Sequence, residues 1–410
     1  MPFVTLDTLP LDILDLIFQF LEGDPSTRRG DLRHLCLTCR KLLPPARRFL
    51  YAAPLRRPWT WVQAIGLLRT LKANPDVFGQ LVRDLYILPE VLHSLSQQEV
   101  GAVDLTFVVP GERRSYSWFL GMLETCTKLK TVGVTLADTT QLDRVIRHLK
   151  PSLATLQAIK LEEAAVSTTS TYPMTSALVQ SFAAQAGLRD IERFEVGRLR
   201  STSFVPSPQI PFDFRVLVLD DCPGNGMKLR QFLPTRTSHL RSLVLHGRTA
   251  LADHVISLIQ LAARNLTHLS IDPGYSDFSG PEARLQGPTI PAPLFSLLRD
   301  LRYLRLAWLK ALSVERIRAL SATSTELVEL ICTETAWISD EPCKPAASPA
   351  SGTASPFPQD QLTALFEPFR HLKRLDIGCV PLTAVLQVEA FQATQRSRGV
   401  EVMYQLWRER

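Results

Sequence analysis

The feature that most constrains this fold is a short motif repeated along most of the chain. Each copy has an apolar residue, two others, an apolar residue, one other, and a final apolar residue. The copies are Val82/Leu85/Ile87, Leu129/Val132/Val134, Leu156/Ile159/Leu161, Ile191/Phe194/Val196, Phe214/Leu217/Leu219, Leu240/Leu243/Leu245, Leu266/Leu269/Ile271, Leu301/Leu304/Leu306, Leu327/Leu330/Cys332 and Leu372/Leu375/Ile377. One strand cannot bury its apolar side alone, so stacked repeats are expected to share one core.

The spacing of the motifs indicates the type of repeat. Successive motifs start 47, 27, 35, 23, 26, 26, 35, 26 and 45 residues apart, and the recurring value near 26 lies within the range of leucine-rich repeats. The first step is expected to contain a further strand at 104–109. The asparagine or cysteine that usually follows each strand is mostly absent, with partial matches at Cys222 and Cys379. We therefore expect an α/β fold, an irregular leucine-rich-repeat solenoid with a curved parallel sheet. A doubly wound α/β domain is the alternative.

The segments between the strands are predicted to be helices or loops. Residues 142–149, 255–259 and 317–320 have helical spacing. Residues 59–72 form an amphipathic pattern that should end at Asn74, because a residue before proline disfavours the helical conformation. Loops are expected at 200–212, 279–293 and 341–358, and the last, rich in proline, serine and alanine, is predicted to be a disordered insertion.

The first fifty residues differ from the rest and predict three helices. Pro10 suits the first turn of a helix over 9–21, whose polar residues form one narrow stripe. Because the rest of this helix is apolar, it must be covered on more than one side. A module of this size covers one side only, so the remainder should contact the next domain or a partner. A second helix is expected from Asp31 to the Pro44-Pro45 pair and a short third helix around Phe49.

The order and spacing of these N-terminal residues resemble the F-box. The matching pattern spans about 45 residues and reads Leu9-Pro10-x-Asp12-Ile13-Leu14-x-x-Ile17-Phe18-x-Phe20-Leu21, then Asp31-Leu32-x-x-Leu35-Cys36-x-x-Cys39-Arg40-Lys41-Leu42, then Phe49-Leu50-Tyr51. It departs from the family at Thr38, where valine is usual, and at Tyr51, where tryptophan is common nearby. The following helix, Asn-Pro break and strand resemble fungal F-box proteins. The resemblance implies an F-box domain at 1–58 and a repeat domain at 59–410.

The resemblance also implies a function and its residues. The F-box family docks on the Skp-type adaptor of cullin-based ubiquitin ligases, so the chain would be a non-catalytic substrate receptor; an F-box scaffold without ubiquitination is the alternative. Adaptor binding is expected of Leu9, Pro10, Leu14, Ile17, Phe18, Leu21, Leu32, Leu35, Cys39, Leu50 and Tyr51. A protein target should contact the outward strand positions, which are Arg241, Ser242, Val244, His268, Ser270, Arg302, Tyr303, Arg305, Arg374 and Asp376. Of these, Arg302, Tyr303, Arg305 and Arg374 are the predicted target site, because arginine and tyrosine are enriched in interface hot spots.

Other classes of function find little support in the sequence. Cys36 and Cys39 form a lone CxxC without a second ligand pair, so we predict packing rather than zinc. Seven scattered cysteines indicate reduced thiols and a cytoplasmic or nuclear protein. The basic residues occur in short pairs, which disfavours a nucleic-acid-binding function. No apolar stretch is long enough to span a membrane. The Asp220-Asp221 pair after a strand is interpreted as a turn. No enzymatic motif or cofactor site is predicted.

Overall fold

The structure is a computed structural model that divides into two compact units, Met1–Ile191 and Glu192–Arg410. It describes residues 9–10, 13–14, 16–17, 36, 40, 42–52, 61–86, 114–136, 145, 147–163, 191–197, 214–222, 239–251, 255–262, 265–274, 292–307, 310–333, 335–337, 358 and 361–407. The strand expected at 104–109 and the loop expected at 200–212 lie outside these residues. The boundary expected at 58 stays a prediction.

The first unit combines helices with a short parallel sheet. The helices whose two ends lie in described residues are α1 (Leu43–Ala52), α2 (Trp61–Ala73), a π-helix (Pro75–Gly79), α3 (Arg114–Thr125) and a 3-10 helix (Lys150–Thr155). Its strands are β1 (Asp84–Tyr86), β2 (Thr131–Leu136) and β3 (Ala158–Glu163), paired in that order. Leu85, Val132 and Ile159 are aligned across the three strands. Helix α2 ends before Asn74, as the following proline predicts.

The second unit has a longer parallel sheet. Its strands run in the order β4 (Arg193–Gly197), β5 (Val216–Asp220), β6 (Ser242–His246), β7 (His268–Asp272), β8 (Tyr303–Leu306), β10 (Glu329–Ile331), β12 (Arg374–Pro381) and β13 (Glu401–Trp407). A separate parallel pair consists of β9 (Lys310–Leu312) and β11 (Ala336–Trp337). The helices are α4 (Val255–Ala262), α5 (Ala292–Phe295), α6 (Val314–Thr323), α7 (Leu362–Phe366) and α8 (Val385–Ser397), with 3-10 turns at Gly247–Leu251 and Leu382–Ala384.

The core contains the apolar residues of the repeated motif. Every described apolar position of the ten copies is at most 5% exposed; Ile87 lies outside the described residues. In the second unit the middle residues form one continuous row, in which Leu217 is aligned with Leu243, and Leu243 with Leu269. The row continues through Leu304 and onwards. The predicted α/β class and parallel strand pairing are therefore confirmed, because the motif is a strand whose alternate residues enter one core.

The backbone ladder begins one residue before each strand. The carbonyl of Arg215 accepts hydrogen bonds from the amides of Arg241 and Ser242, at 2.8 and 2.9 Å. The carbonyl of Arg241 accepts from Thr267 and His268 in the same way, at 2.8 and 3.0 Å. We call the residues that supply these carbonyls the pre-strand row. In the second unit they are Glu192, Arg215, Arg241, Thr267, Arg302, Val328 and Lys373.

Side chains close the opposite ends of the strands. The Cys222 thiol donates to the Val196 carbonyl at 3.4 Å, and the Thr335 hydroxyl donates to the Leu306 carbonyl at 2.9 Å. Polar side chains thus satisfy strand carbonyls that would otherwise stay unpaired. Asp221 has a positive φ of 49°, and its amide donates to the His246 carbonyl at 3.1 Å. This geometry is that of a turn.

The predicted exposure of Asp376 is wrong. Asp376 was expected on the outward strand surface, but it is only 5% exposed. Its carboxylate accepts hydrogen bonds from the Gly378 amide at 2.9 Å and the Thr333 hydroxyl at 3.5 Å. Burial of a carboxylate is tolerable when it is hydrogen-bonded in this way. The strands β9, β11 and β13 were not predicted, because none follows the repeated motif.

The predicted insertion at 341–358 falls outside the described residues except at its last position. Pro358 is buried, and its carbonyl accepts a hydrogen bond from the Gln361 amide at 3.0 Å. On the other side of the insertion, the buried Trp337 indole donates to the Ile377 carbonyl at 2.9 Å. The body of the second unit therefore holds the chain at both described flanks.

Candidate binding surfaces

The N-terminal helical segment has a small apolar core. Leu14, Leu42 and Ala46 form this core, and four partly buried residues pack against it: Leu9, Cys36, Phe49 and Leu50. Residues 13–14 and 16–17 are helical, and we call this helical segment the first helix. The amide of Leu14 donates to the Pro10 carbonyl at 3.1 Å, which is a hydrogen bond of helical spacing. Leu14, Leu9 and Leu50 thus belong to or line the core of this segment.

The same first helix exposes apolar side chains outside that core. Ile13 is 41% exposed and Leu16 is 48% exposed, while Ile17 is half-buried. Positions three and four apart share a face of a helix, so these three side chains form one apolar stripe. Pro10 at the start of the helix is also exposed. We call Pro10, Ile13, Leu16 and Ile17 the first-helix stripe.

The structure describes only some of the predicted adaptor residues, and the adaptor site stays a prediction. Ile13 and Leu16 were not among the predicted residues, although their three-residue spacing was available in the sequence. Leu14, which was among the predicted residues, lies in the core of this segment. The predicted residues Phe18, Leu21, Leu32, Leu35 and Cys39 lie outside the described residues.

The end of α1 packs against the chain that follows it. The Tyr51 ring lies 4.9 Å from the Phe78 ring, centroid to centroid, and the Arg47 guanidinium lies 5.6 Å from the same centroid. The Ala52 carbonyl accepts a hydrogen bond from the Arg83 amide at 2.8 Å. Helix α1 therefore joins the parallel ladder just before β1. One face of Tyr51, a predicted adaptor residue, is occupied by this contact.

The thiol of Cys36 lies at the edge of the N-terminal core. Burial raises the pKa of Cys36, and the positive charge of Arg47 partly opposes that rise. The pKa of Cys126 in the first unit is raised to about 12 by burial alone. Thiols with such raised pKa values stay protonated near neutral pH and are poor nucleophiles. These cysteines act as packing residues, and among the described residues no group of histidine, cysteine and acidic side chains could hold a metal ion.

The predicted target residues of the second unit lie at β8 and β12, the two strands on either side of β10. Tyr303 on β8 is aligned with Glu329 on β10, and Glu329 is aligned with Arg374 on β12. Arg305 lies on β8 two residues after Tyr303. Arg302 and Arg305 are exposed, as is Arg374, and Tyr303 is half-buried. Strand pairing thus assembles one surface from residues up to 72 positions apart in sequence.

Two of these arginines already have carboxylate partners on the same surface. Arg305 lies 3.3 Å from the Asp272 carboxylate, and Arg374 lies 3.7 Å from the Glu401 carboxylate. Such exposed ion pairs contribute little to stability, about 0–1 kcal/mol each. They do reduce the net charge that these arginines offer to a partner.

An aromatic pair lies beside Arg302. The His268 ring stacks on Tyr303, and the hydroxyl of Thr267 lies 2.8 Å from His268 Nδ1. Burial and the positive charge of Arg302 lower the pKa of His268, and the charge of Glu329 acts in the opposite direction. The lowered pKa favours the neutral imidazole, which covers one face of the Tyr303 ring.

Comparison with known proteins adds no further assignment. A scan of the sequence against models of protein families finds no match. A search of curated proteins likewise finds no relative. Within the part of the chain that the structure describes, no helix has the length and hydropathy needed to cross a membrane.

Proposed function

We propose that this chain is the substrate-recognition subunit of a Skp–cullin–F-box ubiquitin ligase. The observation that carries the proposal is the first-helix stripe. Ile13 and Leu16 stay exposed on a helix whose other side, at Leu14, is packed into a core. A helix that is apolar on two sides is typical of a module that buries its second side against a partner.

The size of the stripe fits a docking site. Complete burial of an aliphatic side chain contributes about 1.5–3 kcal/mol, so covering the exposed halves of Ile13 and Leu16 would contribute about 1 kcal/mol each. Pro10 adds a rigid apolar contact at the start of the same helix. The F-box pattern, which includes Pro10, Ile13 and Ile17 of the stripe, makes a Skp-type adaptor the partner that we propose.

The second unit supports the proposed binding of a target protein. Parallel repeats expose one face of each strand over a long surface, which suits binding of another protein. The role of the chain would then be to hold a target close to the ubiquitin-transferring machinery, which lowers the entropic part of the barrier. The adaptor connects it to the cullin scaffold. The proposed role requires no cofactor of this chain.

The proposal is tested with the double variant Ile13→Asp/Leu16→Asp in the full chain. A charged residue at each position should prevent burial against the adaptor, so co-purification with a Skp-type adaptor should fall at least tenfold. The matched control is Leu386→Asp, because Leu386 on α8 is 77% exposed and lies in the other unit.

The control should retain full adaptor binding and melt within about 2 °C of the parent, since Leu386 is 77% exposed. The double variant should still unfold cooperatively but melt a few degrees lower, because Ile13 and Leu16 are each about half buried. Undiminished adaptor binding by the double variant would contradict the proposal. Target turnover in cells, measured with the same pair of variants, separates a degradative receptor from an F-box scaffold.

A further inference from the structure

The pre-strand row of the second unit is strongly basic over most of its length. From β5 to β12 its residues are Arg215, Arg241, Thr267, Arg302, Val328 and Lys373. All four basic side chains are exposed, and the acidic residue of the row, Glu192, lies beyond its end at β4. Four positive charges are thus held on one line by the backbone ladder.

These four residues differ from the arginines on the strands themselves. Arg305 and Arg374 form ion pairs with Asp272 and Glu401. By contrast, the structure pairs none of the four row residues with a carboxylate among the residues that it describes. The guanidinium of Arg241 donates to the Asn265 carbonyl at 3.2 Å, so it lies along the edge of the sheet towards the next repeat. The row therefore offers its charge to a partner.

The length of the row defines the size of a complementary ligand. Neighbouring strands lie about 4.8 Å apart, so the five spacings from β5 to β12 span about 24 Å. An extended peptide rises about 3.3 Å per residue, so about seven residues would cover that distance. A peptide running across the strands could place a carboxylate near each basic residue.

We propose that the pre-strand row from Arg215 to Lys373 binds an extended acidic segment of the target protein. This inference rests on the proposed function only in identifying the partner as the target. Exposed charges arranged to complement a partner act mainly on specificity and association rate. The half-buried Tyr303 and its stacked partner His268 lie next to Arg302 and offer an aromatic contact beside the charges.

The distribution of acidic residues favours a peptide over a nucleic acid. Glu329 lies between Tyr303 and Arg374 on the adjacent strand positions, and Glu401 follows Arg374. A nucleic acid carries evenly spaced phosphates, which these carboxylates would repel. A peptide can place neutral residues there and confine its own carboxylates to the row.

The test uses the full chain and a labelled peptide of about eight residues made of glutamate and serine. The row variant is Arg302→Glu/Lys373→Glu, and the matched control is Arg318→Glu/Arg396→Glu, which makes the same charge change on helices α6 and α8. Reversing two row charges should weaken peptide binding about tenfold at low salt, because two attractions become repulsions. The control should bind within about twofold of the parent.

Several results would contradict the binding of an acidic peptide to the row. No binding of the peptide by the parent, or equal losses in both variants, would overturn the inference, as would equal binding of a peptide with glutamine in place of glutamate. Tighter, row-dependent binding of a single-stranded oligonucleotide would assign the row to nucleic acid instead. Adaptor co-purification, measured on the same variants, should be unchanged. Adaptor binding lost only in the Ile13→Asp/Leu16→Asp protein bears on the proposed function, and peptide binding lost only in the row variant bears on this inference.

Discussion

The imidazole of His268 stacks on the ring of Tyr303, with centroids 4.2 Å apart and ring planes 14° apart. The two residues are directly aligned on β7 and β8, so the contact is fixed by strand register. Burial and Arg302 lower the pKa of His268. The stack is therefore a neutral aromatic surface beside a cation.

This relationship predicts a dependence of stability on pH. The folded-state pKa of His268 is below the unfolded value of about 6.5, so the unfolded chain takes up the proton first as the pH falls. Acidification from about pH 7.5 to 5.5 should therefore lower the melting temperature. In His268→Gln this fall should be shallower by about 1 °C, since one such group is removed. Identical slopes for the two proteins would show that His268 does not titrate differently on folding.

Gly378 should be among the most sensitive positions of the second unit. Its φ is +75°, and an added Cβ would overlap the Thr335 carbonyl oxygen and crowd that of Cys332. Because both contacts are backbone atoms, they cannot move aside cheaply. We expect Gly378→Ala to lower the free energy of unfolding by about 3 kcal/mol or more, measured by chemical denaturation.

Gly399 provides the matched control for this substitution. Its φ is +77°, but an added Cβ meets nothing within 4 Å. It follows α8, where its amide donates to the Arg396 carbonyl at 2.9 Å, as in a helix C-cap. Gly399→Ala should therefore cost only the conformational strain of about 1–2 kcal/mol. Equal losses at the two glycines would mean that the contacts around Gly378 relax.

The contact between α1 and the first strand predicts the effect of N-terminal truncation. A chain that starts at residue 59 loses Tyr51 from the Phe78 ring and the Ala52 acceptor of the Arg83 amide. A chain that starts at residue 43 keeps all of these groups. The shorter chain should melt several degrees lower, because an aromatic pair and a hydrogen bond together contribute about 1–3 kcal/mol.

A single substitution checks the same contact without shortening the chain. Tyr51→Ala in the full protein should reproduce part of the loss seen on removing residues 43–58. Coincident melting curves for the two truncated chains would show that α1 is independent of β1. In that case the expected domain boundary at 58 would gain support.

Local periodicity was sufficient to predict the repeated strands. Leu243 and Leu245 alternate with Ser242 and Val244, so one face of the strand had to be buried whatever its neighbours were. The helices at 255–262 and 314–323 followed from apolar residues three and four apart. The strand β13 was not predicted, because it lacks the repeated motif and its position depends on pairing with β12.

The residues of the candidate sites could be predicted only in part from local periodicity. Arg374 and Asp376 are two residues apart on β12, yet Arg374 is exposed and Asp376 is buried. The Asp376 carboxylate accepts hydrogen bonds from the Gly378 amide on the same strand and from the Thr333 hydroxyl after β10. Ile13 and Leu16 were visible as apolar residues, but the sequence did not show which side of the helix would face the core. Burial of each side chain depends on what packs against it, and that information is non-local.

The sequence by itself determined the α/β class and which residues of each repeat enter the core, because a strand has a fixed two-residue alternation. Only the tertiary structure decided that the strands pair in register, which puts Arg215, Arg241, Arg302 and Lys373 in one row. It also decided that Arg305 and Arg374 are paired with Asp272 and Glu401. The physical reason is strand register, which brings together residues far apart in sequence through hydrogen bonds that no local pattern specifies.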